Sequence, residues 1–305
     1  MSIVLGANQY GKAENRVVRI YRDTPRHEIR DLNVSSSLRG DFEDAHVTGD
    51  QAKVLPTDTQ KNTAFAYAKE HGVTSPEDYA IALGTHFLDA APAAAGAQIK
   101  VEEYVWDRIV VDGEGHDHSF VRRGTETRTA VITVDGRGPE QQVWVVSGIT
   151  DLVVLKSTGS EFKGFLKDEY TTLKETDDRI MATSLTARWR HAGTSAERDT
   201  DWNASYDDIR RILLAGFATT HSRALQETLH VMGKNVLEAH PEVEEIKFSA
   251  PNKHHFLVDL APFHLENSGE VFIAADRPYG LIEAALSRDD SSEPGLAWQG
   301  VPGFL

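Results

Sequence analysis

One order of elements, read twice along the chain, narrows the fold more than any other feature of the sequence. "NRVVRIYRD" (15–23) and "RHEIRDLNVSSSLRG" (26–40) read as strands on either side of the turn signal "DTPR". "TDTQKNTAFAYAKEHG" (57–72) follows as a helix, with Thr57 or Asp58 expected at its N-cap and Gly72 where it ends. "SPEDYAIALGTHFLDAAP" (75–92) reads as a second helix, with Ser75 as N-cap and Pro76 at the first helical position. Extended segments at 98–111 and 118–136 complete the set. After the turn "DGRGPE" the order returns: strands at 141–155 and 179–191, two helices within 205–242, then strands at 243–260 and 270–288. In the second of these helices Leu225, Leu229, Met232 and Val236 keep an i, i+4, i+7, i+11 apolar stripe. No residue-level repeat accompanies the order of elements.

Hairpins joined by short turns imply antiparallel pairing, with the helices covering one face of the sheet. The expectation is an α+β fold in two halves, 1–136 and 137–305, each running strand–strand–helix–helix–strand–strand. Eight long strands with two open edges would invite aggregation unless another copy covers them. Closure with further copies of the same chain into a barrel is the expected remedy, so an oligomer is expected.

Composition supplies exclusions. Over 305 residues the net charge is −15, which argues against nucleic acid or an anionic membrane surface as the main partner. A small anion is not excluded, because a few local donors override the global field inside a dry cleft. There is no cysteine, which removes disulfides, zinc–thiolate sites, iron–sulfur clusters and thiol nucleophiles. The apolar run "VWVVSGITDLVVL" (143–155) carries an acid and is too short to span a bilayer. "MSIVLGANQYGK" lacks the pattern of a secretory signal and "GVPGFL" is not a Ser-Lys-Leu address, so a cytoplasmic location is expected.

Several short motifs admit both a plain and a chemical reading. In "PNKHHFLVDL" (251–260), taken as one strand, Asn252, His254, Phe256 and Val258 share a face. The plain reading is a solvated strand end; the chemical one is an amide and an imidazole delivered together. "HDH" (116–118) offers two histidines two apart, but no third metal ligand stands at a recognisable spacing and "DGEGHDHS" reads as a loop. "PTDTQKN" (56–62) opens a helix, where free N–H groups suit an anion, although ordinary capping explains it equally. "SRALQETL" (222–229) opens another, with Ser222 as the expected cap. "EFKGFLKDEYTTLKETDDR" (161–179) places Phe162 and Arg179 on either side of a short helix or loop; an aromatic face plus a guanidinium fork would hold a flat anion. The polar connection "HAGTSAERDTDWN" (191–203) fits a mobile loop.

In combination, "YGK", "TDTQKNT", "HDHSF", "GFLKDEYTTLKETDDR", "SRALQETL" and "PNKHHF" resemble, in order and spacing, the urate oxidase (uricase) family. The resemblance covers almost the whole chain and implies the tunnelling fold, a duplicated strand–strand–helix–helix–strand–strand unit assembled as a homotetramer of stacked barrels. It implies a cofactor-free reaction of urate with O2 and water, giving 5-hydroxyisourate and hydrogen peroxide, with no metal. Carried onto this sequence, the general base is Lys12 and the catalytic threonine Thr57, with the backbone of Asp58 beside it. Phe162 stacks on the purine, Arg179 forks onto it, Gln226 reads its edge and the main-chain N–H of Leu225 adds a contact, where valine also occurs in the family. Asn252 and His254 line the place where oxygen and water react, Thr57 and Asn252 holding O2 or water, and Lys12, Thr57 and His254 form a proton relay. Lys12 and Thr57 reach the pocket from the neighbouring subunit.

Triplet dioxygen does not combine directly with ordinary organic molecules, and most enzymes use flavin or a metal as conduit. No motif for either is present. Urate, once deprotonated, is electron-rich enough to reduce oxygen itself, which leaves the protein to bind, deprotonate and position. A solvated lysine is protonated at neutral pH, so a lysine base has to be desolvated, as at a subunit interface. The rival readings are a metal enzyme using His116 and His118, and a purine-binding barrel without catalysis.

Overall fold

The computed structural model describes residues 2–301; the last four residues, on which the C-terminal address expectation partly rests, lie outside it. The chain opens with strands β1 (Tyr10–Tyr21) and β2 (Glu28–Gly40), paired antiparallel from Tyr10↔Leu38 to Tyr21↔Glu28. A short helix α1 (Glu43–Val47) leads to α2 (Thr57–Glu70) and α3 (Pro76–Ala90). Strand β3 (Ala94–Glu103), a side hairpin of β4 (Trp106–Val111) and β5 (Glu114–Arg122), and β6 (Thr127–Asp135) complete the first half. The second half runs β7 (Gln142–Lys156), β8 (Met181–His191), α4 (Trp202–Thr219), α5 (Leu225–Ala239) and β9 (Val243–Asn252). It closes with a side hairpin of β10 (His255–Leu257) and β11 (Phe272–Ala274), then β12 (Gly280–Ser287).

Among the described residues the long strands form one antiparallel sheet in the order β1-β2-β3-β6-β7-β8-β9-β12. The α+β architecture and its antiparallel sheet are as expected. The four segments expected as unbroken strands at 98–111, 118–136, 243–260 and 270–288 are not. Each breaks, and in both halves the pieces pair as a hairpin off the main sheet. For β4–β5 the cause is local: Asp112 and Gly113 both take positive φ (53° and 86°), the geometry of a two-residue hairpin turn that Asp-Gly favours. The histidines of "HDH" therefore stand on a strand, not in a loop.

Each half packs its helices on its own strands. Leu83 and Phe87 of α3 meet Leu32, Leu38, Ile99 and Ile132, all at most 1% exposed. The stripe Leu225, Leu229, Met232 and Val236 is buried against Leu185, Ile246 and Phe248. A buried polar knot joins the halves: Glu77 of α3 accepts from Arg128 of β6 at 2.7 Å and from Ser147 of β7 at 2.7 Å, and His191 of β8 meets Ser147 at 3.1 Å. These bonds tie α3, β6, β7 and β8 together across the β6–β7 seam. The first strand of each half also carries a bulge, at Lys12/Asn15 in β1 and Ile149/Leu152 in β7. Each bulge contains an acidic residue in the left-handed region, Glu14 (φ 56°) and Asp151 (φ 55°).

Candidate active site

The expected site residues fall into two groups. The first sits where β1 meets the start of α2. Gly11 is required by close approach, since a Cβ there would lie 1.8 Å from the Ser36 carbonyl oxygen. The bulge that follows Lys12 re-aims the strand, and its amides are held by hydroxyls of β2: Lys12 N–H donates to Ser36 Oγ at 3.4 Å and Glu14 N–H to Ser35 Oγ at 2.9 Å. Lys12 is half-buried, and Thr57 is exposed as the first residue of α2. The Asp58 carboxylate is taken up by Lys61 Nζ at 2.5 Å and Asn62 Nδ2 at 3.0 Å, leaving its backbone N–H free for a ligand. The Lys61 hydrogen bond holds the Asp58 carboxyl below its usual range, and the charge of Lys12 adds to this, which places Lys12 beside the helix start.

The second group gathers at the start of α5. Residues 161–179 form no helix. The segment folds back on itself through Phe162 and Thr176, whose backbones exchange bonds of 2.9 and 3.0 Å. Arg179 N–H donates to the Ser160 carbonyl at 2.7 Å and Glu161 N–H to that of Ser222 at 2.8 Å, which lays the loop against the residues entering α5. Ser222 is held from below by the buried Thr228 hydroxyl at 2.9 Å. The Arg179 guanidinium lies 5.2 Å from the centroid of the Phe162 ring, and its buried Nε has no partner. Asn252 ends β9, paired with Thr183 on one side and Gly280 on the other. Lys253 N–H still donates to the Ala182 carbonyl at 2.8 Å, in register with the Thr183↔Asn252 pair, and beyond it the chain leaves the main sheet, His255–Leu257 pairing with β11 instead; the continuous strand expected over 251–260 is broken before His254. Burial, then the charges of Arg179 and His255, push the His254 imidazole below its ordinary value and favour its neutral form.

Helix starts separate the groups from the rest of the fold. Ser75 caps α3 by accepting from Asp78 N–H, and Asp201 caps α4 by accepting from Asn203 and Ala204 N–H. The expected caps Thr57 or Asp58 and Ser222 are not caps: the N-cap positions are Pro56 for α2 and Ala224 for α5, neither with a side-chain cap. Those two helix starts keep free N–H groups at Thr57–Asp58 and Leu225–Gln226, a ready site for an anion. Leu225 is 2% exposed and Gln226 is exposed at the surface.

Two neighbours escaped the sequence reading. Phe165 stacks on Phe162 (5.0 Å, 13°), and its only signal was aromatic spacing within the loop. Gln60, 1% exposed, stands in line with the buried Ala64 and Ala68; a polar residue in that stripe was the missed signal. The 191–203 connection is tied down by Arg198, which donates to the carbonyls of Ala192, Val143, Gly193 and Ser195. The rings of His116 and His118 meet edge to face at 4.5 Å, and among the described residues no group of three or more His, Asp or Glu side chains is arranged to hold a metal ion.

Within one chain the two groups do not meet along the sheet. Lys12 lies on β1, an edge strand, and Asn252 on β9, six strands away in the order β1-β2-β3-β6-β7-β8-β9; at about 4.8 Å per strand that is about 29 Å along the sheet. The chain is thus an α+β protein whose uncapped helix start at Thr57 and whose Phe162–Arg179 cluster lie at separate places along one antiparallel sheet. The Uricase family model matches residues 8–133 and 145–283. The uricase of Arthrobacter globiformis is 52% identical, over 99% of this chain and 96% of that protein, and the uricase of Dictyostelium discoideum 38% identical, over 93% and 97%. The crystal structure of the Arthrobacter globiformis uricase superposes with a TM-score of 0.90 over 98% of this chain and 99% of that one. Urate oxidase from Bacillus sp. TB-90, at 24% identity, shares the fold with a TM-score of 0.82, over 92% and 100%. The chain belongs to the uricase family.

Proposed function

We propose that this chain is a urate oxidase, converting urate, O2 and water to 5-hydroxyisourate and hydrogen peroxide without cofactor or metal. The observation that carries the reading is the guanidinium of Arg179, unpartnered at its buried Nε, beside the Phe162 ring, the neutral-leaning His254 and the uncapped start of α5. A buried charged donor without a protein acceptor is costly unless a ligand supplies one, and a flat anion supplies it while stacking on Phe162. Gln226 and the Leu225 N–H then read the opposite edge.

Lys12, Thr57 and His254 form the proton relay in this reading. The hydroxyl of Thr57 passes a urate proton toward Lys12, and a neutral imidazole at His254 takes or gives one as oxygen and then water react. Two electrons leave the purine and O2 takes them up, with two protons, as hydrogen peroxide. Water adds to the oxidised ring as hydroxyl. Thr57 and Asn252 hold O2 and later the attacking water above the ring, with the Asp58 N–H at the same helix start.

The separation of the two groups supports a pocket built from two chains, Lys12 and Thr57 from one and Phe162, Arg179, Gln226, Asn252 and His254 from the other, within a homotetramer. The two halves, 1–136 and 137–305, are read as copies of one unit, supported by the shared element order, the matching side hairpins and the matching bulges. Urate added to chelator-treated protein in air tests the function: loss of the urate absorbance with stoichiometric peroxide is expected. Binding without absorbance loss, or activity abolished by chelation, would overturn it.

A further inference from the structure

We propose that Gln60, acting through Ser36 and together with Tyr10, is a positioning residue that fixes Lys12 relative to Thr57; this rests on the proton-transfer roles proposed above. Gln60 lies three residues after Thr57 on the core face of α2, and both ends of its amide are engaged. Its Oε1 accepts from Ser36 Oγ at 2.7 Å and its Nε2 donates to the Leu55 carbonyl at 3.3 Å. Ser36 Oγ in turn accepts the Lys12 N–H, and Ser36 is the strand partner of Lys12. From the other side, Leu55 N–H donates to the Tyr10 hydroxyl at 2.9 Å.

Tyr10 and Lys12 are two apart on β1 and share a face, and the Tyr10 ring is set edge-on against the buried Phe42 at 4.8 Å. The Leu55 peptide is therefore gripped at both ends, its N–H by β1 and its carbonyl by α2, two residues before Thr57. Any buried amide needs partners; what sets Gln60 apart in a stripe continued by Ala64 and Ala68 is which partners it has. The bonds converge on the two segments that carry the proposed base and the proposed hydroxyl. A misplacement of about 1 Å in a reacting group costs up to about a hundredfold in rate, while a stacked and forked substrate held elsewhere still binds.

The test compares Gln60→Met, Ser36→Ala, Ser36→Thr and Tyr10→Phe with Lys12→Met, reading kcat and KM for urate and the Kd of an inert purine analogue. Gln60→Met and Ser36→Ala should lose about tenfold or more in kcat with KM and analogue Kd within about twofold, and Ser36→Thr, which keeps the hydroxyl, should retain most of the rate. In the Lys12→Met background, Gln60→Met should cause no further loss, because the group it positions is gone. Should Gln60→Met fail to fold, Ser36→Ala and Tyr10→Phe decide. Unchanged kcat in the folded variants, or equal losses with and without Lys12, would overturn the inference while leaving the proposed function standing. Near-native turnover by Lys12→Met would sink the relay, and this inference with it.

Discussion

Two variants, each heavily impaired alone, should recover activity when they share an assembly. Lys12→Met removes the proposed base, and Arg179→Ala removes the proposed clamp. The Lys12 group stands on the β1 edge and the Arg179 group beside the opposite edge, about 29 Å away along the sheet. If each pocket joins one group from each of two chains across a two-fold interface, a mixed pair holds one doubly altered pocket and one with both native residues. Random pairing makes about half of the pairs mixed, and half of their pockets intact, so about one quarter of native turnover should return. Neither change is expected to unfold the chain: Arg179 Nε has no partner, so its loss orphans no carboxylate. The assay is peroxide release after co-expression of the two differently tagged chains and tandem purification of the mixed oligomer. In a tetramer, tandem purification removes only the assemblies holding one kind of chain, about one eighth of the total, so the purified fraction should show about two sevenths of native turnover. Activity no higher than either parent, in oligomers shown to contain both chains, would refute the shared pocket.

Arg179→Ala should weaken binding of an anionic purine analogue at least a hundredfold by calorimetry, since about two charge-assisted hydrogen bonds of about 1.5–3 kcal/mol each are lost. Arg179→Lys should recover little, because an ammonium cannot fork, and His254 should titrate higher in Arg179→Ala by NMR, as one of its depressing charges is gone. Gly11→Ala should lose most of the turnover and lower the melting temperature, since its Cβ would meet the Ser36 carbonyl at 1.8 Å; a native melting curve would argue against that close approach. His191 is buried in the seam between the halves, and burial holds its pKa down at about 3. Its neutral form is the folded one, so the contribution is intact above the unfolded value of about 6.5 and is lost as the pH falls toward 3, by about 3 kcal/mol at pH 4. His191→Gln should flatten the fall of the urea midpoint between pH 7 and 4, and an unchanged slope would exclude His191 as its source.

What the sequence revealed and what it hid follow one physical line. Periodicity and turn residues exposed the order of elements, the Ser75 cap with Pro76 behind it and the buried α5 stripe, because these depend on neighbours a few residues apart. The break at Lys253–His254 had no local signal: alternation continues through it, and the chain leaves the main sheet where His255–Leu257 pairs with the distant β11. The caps were misjudged for a more telling reason. Thr57, Asp58 and Ser222 are good capping residues, yet the helices they were assigned to begin uncapped at Pro56 and Ala224, whereas α3 and α4 are capped as the rules expect. Local rules fail most often where a site needs the group for something else, and here the uncapped starts among the long helices α2 to α5 are the two that carry expected ligand contacts, the short α1 being uncapped as well.

That pairing of exposed ends with exposed edges has a consequence for assembly. The strand edges that leave the sheet open to aggregation are β1 and β12, and Lys12 stands on the first while Asn252 is bonded to the second through Gly280. On the proposed reading, covering the edges, removing Lys12 from water and joining the two half-sites are one event. A lone chain would then hold Lys12 and the clamp apart, with no base above the clamp. Catalysis and solubility would be lost together on dissociation, so turnover should fall with dilution in step with the loss of the oligomer measured by light scattering. Full specific activity from a demonstrated monomer would break the link between them.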